Sequence, residues 1–226
     1  MIEYEHLLEL MRARRSIRRF APDRVSREQI LRLLEAARWA PSNHNRQPWR
    51  FLVLEDKQQI ESLAETVSRS LAEKMKLLPA VASAYINGFV HDATFFAQAP
   101  ALIVALHKQP ASVSAALLEG ADNPALVSGE PLSVAMAVQN LVLAAHALRL
   151  GTCVLTGPLV AQELVVGALN LPAGHAITCL VALGYPAETP LPPRRKNLEH
   201  IVEFRSASGP ATAKLQPRDD DRSRNR

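Results

Sequence analysis

Residues 131–158 read PLSVAMAVQNLVLAAHALRLGTCVLTGP, and this stretch decides the fold. Pro131 suits the first turn of a helix, and apolar residues then recur around nearly the whole circumference as far as Leu148. Gly151 is predicted to end the helix at its C′ position, and Thr152–Leu155 has the composition of a buried strand. We therefore predict a central helix, apolar on two sides, that leads directly into a sheet.

Strands and helices alternate on both sides of this stretch. Further strands are predicted at Arg50–Glu55, Ala101–His107 and Ala176–Leu183, and helices at Glu3–Ala13, from a capping box at Ser26 and Gln29 to about Trp39, from Asp56 to Met75, and from Gly157 to Asn170. Residues 79–99 have no clear period and are predicted to be helical or irregular. Strands separated by helices predict an α+β fold of three layers, in which helices cover a central mixed sheet.

The composition indicates one globular domain, predicted to span residues 1–205. The chain has 226 residues, of which 48% are hydrophobic and 21% charged, and residues 206–226 form a polar tail predicted to be disordered. Cys153 and Cys179 lie in apolar runs without a CxxC spacing, which favours buried thiols in a reducing compartment. The acidic first ten residues are unlike a signal peptide, and polar residues interrupt the longest uncharged stretch. We expect a soluble cytoplasmic protein with no membrane contact.

A cluster of arginines precedes the second helix. Seven arginines and one acid, Asp23, lie between Arg12 and Arg27. They could contact nucleic acid, form a solvated basic face or line a pocket for one phosphate group. Aromatic residues make up only 5% of the chain, and no stacking pattern runs through the cluster. A nucleic-acid partner is therefore the weakest of the three interpretations.

Several common catalytic motifs are absent from the sequence. It contains no GxGxxG, GxxxxGK[ST], HExxH or GxSxG, and its seven histidines have no paired ligand spacing. We accordingly predict no metal site and no catalytic side chain. His44 and His91 are interpreted as ordinary histidines, and Trp49 as a core or interface residue.

Three short polar segments remain, each beside a buried element. The first is RRSIRRF (residues 14–20), which we name the anchor segment. The second is PSNHNRQPW (residues 41–49), of which residues 41–48 form the amide loop. The third is LGTCVLTGP (residues 150–158), and we name its residues Leu155–Gly157, which follow the third predicted strand, the β3 turn. Guanidinium and hydroxyl groups in the anchor segment suit phosphate oxygens. The amides of the loop can read a ligand rich in hydroxyls and carbonyls, and the glycine turn lets backbone approach a flat ligand.

These segments resemble the nitroreductase family of FMN-dependent oxidoreductases over roughly residues 6–204. The resemblance lies in RRSIRRF (14–20), APSNHNRQPWRF (40–51), QNLVLAAHALRLGT (139–152) and PPRRKNLEHIV (192–202), in that order. It implies a two-fold homodimer with domain-swapped extensions that binds FMN. Electrons would pass from NADH or NADPH through flavin N5 to a nitroaromatic, a quinone or a related metabolite by a ping-pong mechanism. The alternative is a non-catalytic flavin-binding or flavin-sensing protein.

The resemblance also implies roles for individual residues. The phosphate and the pyrimidine side of the flavin fall to Arg14, Arg15, Ser16 and Arg18. The partner subunit would contribute Pro41, Ser42, Asn43, Asn45 and Gln47, and the region near N5 falls to Leu155, Thr156 and Gly157. A late basic residue returns to the phosphate, here Arg195 or Arg194. Pro193 stands where many relatives have a lysine, which puts part of that last contact in doubt.

Overall fold

The structure, a computed structural model, describes residues 3–76, 83–109, 129–206 and 209–211. The chain forms two compact units, Met1–Pro190 and Leu191–Arg226. The described helices of the first unit are α1 (Tyr4–Ala13), α2 (Arg27–Arg38), α3 (Lys57–Met75), α4 (Ser83–Thr94), α5 (Glu130–Ala147) and α6 (Gln162–Leu169). Its strands are β1 (Trp49–Leu54), β2 (Ala101–Lys108), β3 (Gly151–Leu155) and β4 (His175–Gly184).

The sheet of the first unit has the strand order β1-β2-β4-β3, and each strand runs antiparallel to its neighbour. The α+β class is confirmed, but the strands do not form the mixed sheet that we predicted. Leu54 at the end of β1 pairs with Leu102 at the start of β2. The excursion through α3 and α4 thus returns the chain to the end of the sheet that it left, which makes β2 antiparallel to β1.

Two apolar layers cover the sheet, as alternation along the central strand β2 requires. Leu102, Val104 and Leu106 belong to a cluster with α3 and α6, whereas Ile103 and Ala105 belong to a second cluster with α2 and α5. All five are fully buried. The predicted arrangement of helices on both faces of one sheet is confirmed.

Helix α5 packs on the sheet with one side and leaves apolar residues exposed on another. Val134 and Leu141 are fully buried, whereas Leu132 and Met136 are 49% and 41% exposed. The helix ends at Ala147, and the left-handed residue that follows is Arg149, not Gly151 as we predicted. Gly151 is instead the first residue of β3, where a Cβ would lie 2.9 Å from Ile17.

The two helix starts predicted from side-chain caps are confirmed, whereas the helix predicted from Gly157 begins with a 3₁₀ turn, Gly157–Ala161, and α6 starts only at Gln162. Pro131 is the second residue of α5, which starts at Glu130. The Ser26 side chain accepts a bond from the Gln29 amide and Gln29 reciprocates, and Asp56 accepts from the amides of Gln58 and Gln59. Part of the aperiodic segment forms α4, followed by a 3₁₀ turn at Phe95–Gln98. Residues 77–82 lie outside the described residues.

The second unit contains a 3₁₀ turn at Leu198–His200 and two short antiparallel strands, β5 (Phe204–Ser206) and β6 (Gly209–Ala211). Strand β6 falls within the segment that we predicted to be disordered, and residues 207–208 and 212–226 lie outside the described part. Among the helices that the structure describes, none has the length and apolar character needed to cross a lipid bilayer.

Candidate functional site

The anchor segment lies in an extended conformation against the edge of the sheet. Its Ile17 amide donates to the carbonyl of Thr152 in β3 at 2.9 Å, and Ser16 pairs with the same residue. Further along, the Ala187 amide donates to the Arg19 carbonyl at 2.9 Å. Ile17 is buried, whereas Arg14, Arg15 and Ser16 are half-buried and Arg18 is exposed. The apolar side chain thus fixes the backbone while the polar ones remain accessible.

Glu188 holds the middle of the anchor segment from the other side. Its Oε1 accepts bonds from the backbone amides of Arg18 at 2.5 Å and Arg19 at 3.0 Å, and its Oε2 pairs with Nε of Arg19 at 3.2 Å. These bonds, led by the Arg18 amide, lower the pKa of Glu188. Sequence reasoning missed this role, because Glu188 is distant in sequence from the anchor segment and belongs to no motif.

Arg18 of the anchor segment and the β3 turn line one shallow cleft of about 260 Å³, whereas the predicted residues Arg14, Arg15 and Ser16 are not part of its lining. The guanidinium of Arg18 lies 5.9 Å from the centre of the Phe95 ring, at a distance that allows a cation–π contact. The structure therefore brings together Arg18, Leu155, Thr156 and Gly157, as the sequence predicted for one ligand. The cleft is also lined by Phe89, Asp92, Ala93, Phe95, Cys153 and Val154. Sequence reasoning missed Phe89, Asp92 and Phe95 because they lie in the segment without a period.

The two cysteines carry protonated thiols. Burial raises the pKa of Cys153, although the nearby Arg18 and a hydrogen bond with Ser16 oppose the shift. Burial raises the pKa of Cys179 to about 12. Neither thiol is a candidate nucleophile at neutral pH, because the thiolate is the reactive form. Among the residues that the structure describes, no group of three or more His, Cys, Asp or Glu side chains could hold a metal ion.

The amide loop contains a short 3₁₀ turn, Asn43–Asn45, with an unusual backbone. His44, Asn45 and Gln47 have φ angles of 49°, 52° and 48°, in the left-handed region that non-glycine residues rarely adopt. The Gln47 amide donates to Oγ of Ser42 at 3.0 Å, which closes the loop. The side chains of Asn43, Asn45 and Gln47 are exposed, Ser42 is half-buried and Pro41 is exposed.

The amide loop and the anchor segment lie at opposite ends of α5 within one chain. The Asn43 amide donates to Oγ of Ser133 in the first turn of the helix, at 3.2 Å. Near the other end of α5, burial lowers the pKa of His146, and the positive charges of Arg14 and Arg15 lower it further. Ser133 and His146 are separated by roughly 20 Å along the helix axis. The loop also adjoins β1, whereas the anchor segment adjoins β3, at the opposite edge of the sheet.

One chain therefore does not bring the predicted loop residues to the cleft. The sequence prediction assigned the loop to the partner subunit's site, and that assignment stays a prediction. Arg194 and Arg195 belong to the second unit, where both are exposed in the irregular segment before Leu198–His200.

Comparison with known proteins gives consistent matches. The model of the nitroreductase family matches residues 11–185. A protein named NADH dehydrogenase from Thermus thermophilus is 32% identical over 199 residues, which cover 85% of this chain and 92% of that protein. The fold matches a BluB-like flavoprotein from Clostridium difficile 630 with a TM-score of 0.78 and 26% identity, covering 91% of this chain and all of the other.

A second solved structure resembles the chain in fold. It is a nitroreductase with bound FMN from Bacteroides fragilis NCTC 9343, with a TM-score of 0.61 and 23% identity over 84% of this chain and 94% of that chain.

Proposed function

This chain belongs to the nitroreductase family, and from that premise we propose that it is an FMN-dependent oxidoreductase that transfers electrons from NADH or NADPH to a small organic acceptor. The observation that carries the proposal is the shared cleft of the anchor segment and the β3 turn. Arg18 meets the backbone of Thr156 and Gly157 there, and burial, which raises the pKa of Cys153, keeps this thiol of the lining from acting as a nucleophile.

The anchor segment and the cleft that its Arg18 lines fit the two ends of FMN. Arg14, Arg15 and Ser16 offer charged and neutral donors to a phosphate group, for which guanidinium geometry is well suited. Nε of Arg15 is buried and has no hydrogen-bond partner among the described residues, which favours a nearby anion. The BluB-like flavoprotein and the FMN-bound nitroreductase support the same cofactor.

The chain's own residues would place and polarise the ring. Bound FMN would supply the redox chemistry, accepting a hydride at N5 and passing electrons to the acceptor. Arg18 would set positive charge beside the pyrimidine side and so favour negative charge developing there. Thr156 and Gly157 would lie along the ring with their backbone, and Phe89 and Phe95 would keep water from that end of the cleft.

A two-fold homodimer would complete the site. The cleft of about 260 Å³ in one protomer is smaller than the roughly 300–1,000 Å³ typical of ligand pockets. The partner's amide loop would close it through Pro41, Ser42, Asn43, Asn45 and Gln47. Apolar side chains exposed on α1 and α5 suit the interface: Leu7 (41%), Met11 (44%), Leu132 (49%) and Met136 (41%).

The roles that the resemblance implies for Arg194 and Arg195 at the phosphate are kept in this proposal, as is one functional domain over residues 1–205. The proposed acceptors remain a nitroaromatic, a quinone or a related metabolite, reduced in a ping-pong cycle.

Visible spectroscopy tests the cofactor and the residues that hold it. We expect purified protein to bind FMN and anaerobic NADH or NADPH to bleach its absorbance. Arg14→Ala and Ser16→Ala should weaken FMN binding about tenfold or more, because each removes a donor to a charged group. Arg24→Ala is the matched control, since Arg24 is an exposed arginine of the same cluster that lies outside the anchor segment.

Two results would contradict the proposal in different ways. Protein that stays colourless after FMN is added does not bind the cofactor. Protein that binds FMN but is reduced by neither nicotinamide is a flavin-binding protein and not an NAD(P)H oxidoreductase.

A further inference from the structure

The first turn of α5 forms a polar support beneath the amide loop. Oγ of Ser133 accepts the Asn43 amide at 3.2 Å and donates to the Gly129 carbonyl at 2.8 Å. Gly129 has a φ of 75°, and a Cβ there would lie 3.0 Å from Nδ2 of Asn43. The loop thus rests directly on the helix start, with a buried hydroxyl as the connection.

A buried carboxylate makes the second connection. Oε1 of Glu130 pairs with Nη1 of Arg46 at 3.1 Å, and the Glu130 side chain is only 5% exposed whereas Arg46 is 50% exposed. Oε2 of Glu130 is buried without a hydrogen-bond partner among the described residues. The charge of Glu130 also acts on His107. Burial lowers the pKa of His107, and the Glu130 carboxylate opposes that shift. A buried carboxylate is unfavourable unless it is paired, so the loop arginine is bound firmly to the helix.

The amide loop needs such support because its own bonds are few. Three of its residues have left-handed backbone, which is unfavourable for side chains with a Cβ. Within the loop, Asn45 and Gln47 amides bond to the carbonyl and hydroxyl of Ser42, and the Arg46 amide bonds to the Asn43 carbonyl. Contacts from outside must therefore select this conformation over relaxed ones.

We propose that Ser133 and Glu130 are positioning residues that hold the amide loop in its flavin-binding conformation before the cofactor arrives. The proposal rests on the proposed function, in which the loop contacts FMN in the partner's site. Neither residue needs to touch FMN. Each acts through a loop residue that adjoins the exposed amides, Ser133 through Asn43 and Glu130 through Arg46.

Two substitutions test the proposal. Ser133→Ala removes the acceptor for Asn43, and Glu130→Gln keeps the shape of the side chain but removes its charge. Each should weaken FMN binding about five- to tenfold, because the first loses one net hydrogen bond and the second loses the charge that strengthens the bond from Arg46. In the FMN-free protein, hydrogen exchange followed by mass spectrometry should quicken in peptides that span the amide loop. Exchange in peptides from β2 and β4 should stay unchanged.

Matched variants separate positioning from general stability. Ser133→Thr keeps the hydroxyl and should restore FMN affinity. Glu55→Gln breaks another arginine–glutamate pair, Arg27–Glu55 at 2.8 Å, and should leave affinity and loop exchange unchanged. Arg46→Gln combined with Glu130→Gln should cost no more affinity than Glu130→Gln alone, because both act through one interaction.

The outcomes distinguish this inference from the proposed function. Wild-type protein that fails to bind FMN contradicts the proposed function itself. Wild-type protein that binds FMN, with Ser133→Ala and Glu130→Gln behaving like Glu55→Gln, overturns only the positioning role. Faster exchange throughout the sheet as well as the loop would also overturn it, since that pattern indicates global destabilisation.

Discussion

Glu188 ties the anchor segment to the chain that follows β4. One carboxylate oxygen receives two backbone amides of the anchor segment, so the ionised form is favoured in the folded protein. The side chain is 17% exposed, compared with 73% for Arg19. Amide bonds, more than the exposed ion pair, therefore account for its contribution.

The stability of the protein should depend on the charge of Glu188. Its folded-state pKa is lowered from 4.5, so its contribution is present above that pH and is lost as the pH falls through the folded-state value. Glu188→Gln should lower the free energy of unfolding by about 1 kcal/mol at neutral pH. The difference from wild type should shrink in acid.

Urea unfolding at pH 7 and at several values below 4.5 measures this effect. Glu65→Gln serves as the control, because Glu65 is exposed in the middle of α3. A Glu188→Gln variant whose deficit is the same at every pH would show that charge is not the cause.

The anion-binding role of the anchor segment could be predicted from sequence, but the residues that contact the segment could not. The donor groups of arginine and serine side chains indicate anion binding whatever their position in the fold. Glu188, Phe89 and Asp92 have no such signature, and only the folded chain brings them to the anchor segment and the β3 turn. Nothing in the sequence indicates a positioning role for Ser133 either, because a serine within an apolar helix is equally compatible with being only a buried residue.

At the level of elements, the end of β4 is packed too closely to accept a side chain. A Cβ on Gly184 would lie 2.6 Å from Cδ of Pro100 and 2.9 Å from Phe20. Phe20 is the last residue of the anchor segment. The ring of Pro100 is rigid, so it cannot move aside as a long flexible side chain can. Gly184 therefore lets β4, the start of β2 and the anchor segment meet.

Two glycine substitutions should have opposite effects on stability. Gly184→Ala should destabilise the protein by about 1–3 kcal/mol through overpacking. Gly167→Ala should stabilise it by roughly 0.5–1 kcal/mol, since Gly167 lies inside α6 with nothing within 4 Å of an added Cβ. Thermal unfolding of both variants checks the pair, and equal melting temperatures would contradict the packing argument.

Helix and strand positions followed from sequence where the signal is local. The capping box at Ser26 and the cap at Asp56 depend on neighbouring residues, and the structure has both. Strand direction depends on where a connection returns, so the antiparallel order of β1 and β2 was not foreseeable. The role of Gly151 was misassigned for the same reason, because its close neighbour Ile17 is remote in sequence.

For the whole molecule, the separation of loop and cleft makes a direct test of a shared site possible. A variant with Arg14→Ala and Ser16→Ala has damaged anchors, and one with Ser42→Ala and Asn43→Ala has damaged loops. Neither should bind FMN tightly alone. A heterodimer of the two should regain one intact site, which takes its anchor segment from the second variant and its amide loop from the first. The other site of the heterodimer then contains both damaged segments.

Tagged copies of the two variants allow heterodimers to be purified and titrated with FMN. After random mixing, about a quarter of all sites should be intact, as two-fold assembly predicts. Each variant mixed with itself is the control. Heterodimers that regain no binding would place both segments of a site on one chain.

The distance along α5 also has a thermodynamic consequence. If one ligand is bound by residues of two chains, ligand binding and subunit association are linked. The ligand raises the affinity of the subunits for each other by the same factor by which association raises the affinity for the ligand. Dilution would then release cofactor, and a cell short of riboflavin would hold more separated subunits than one that is replete.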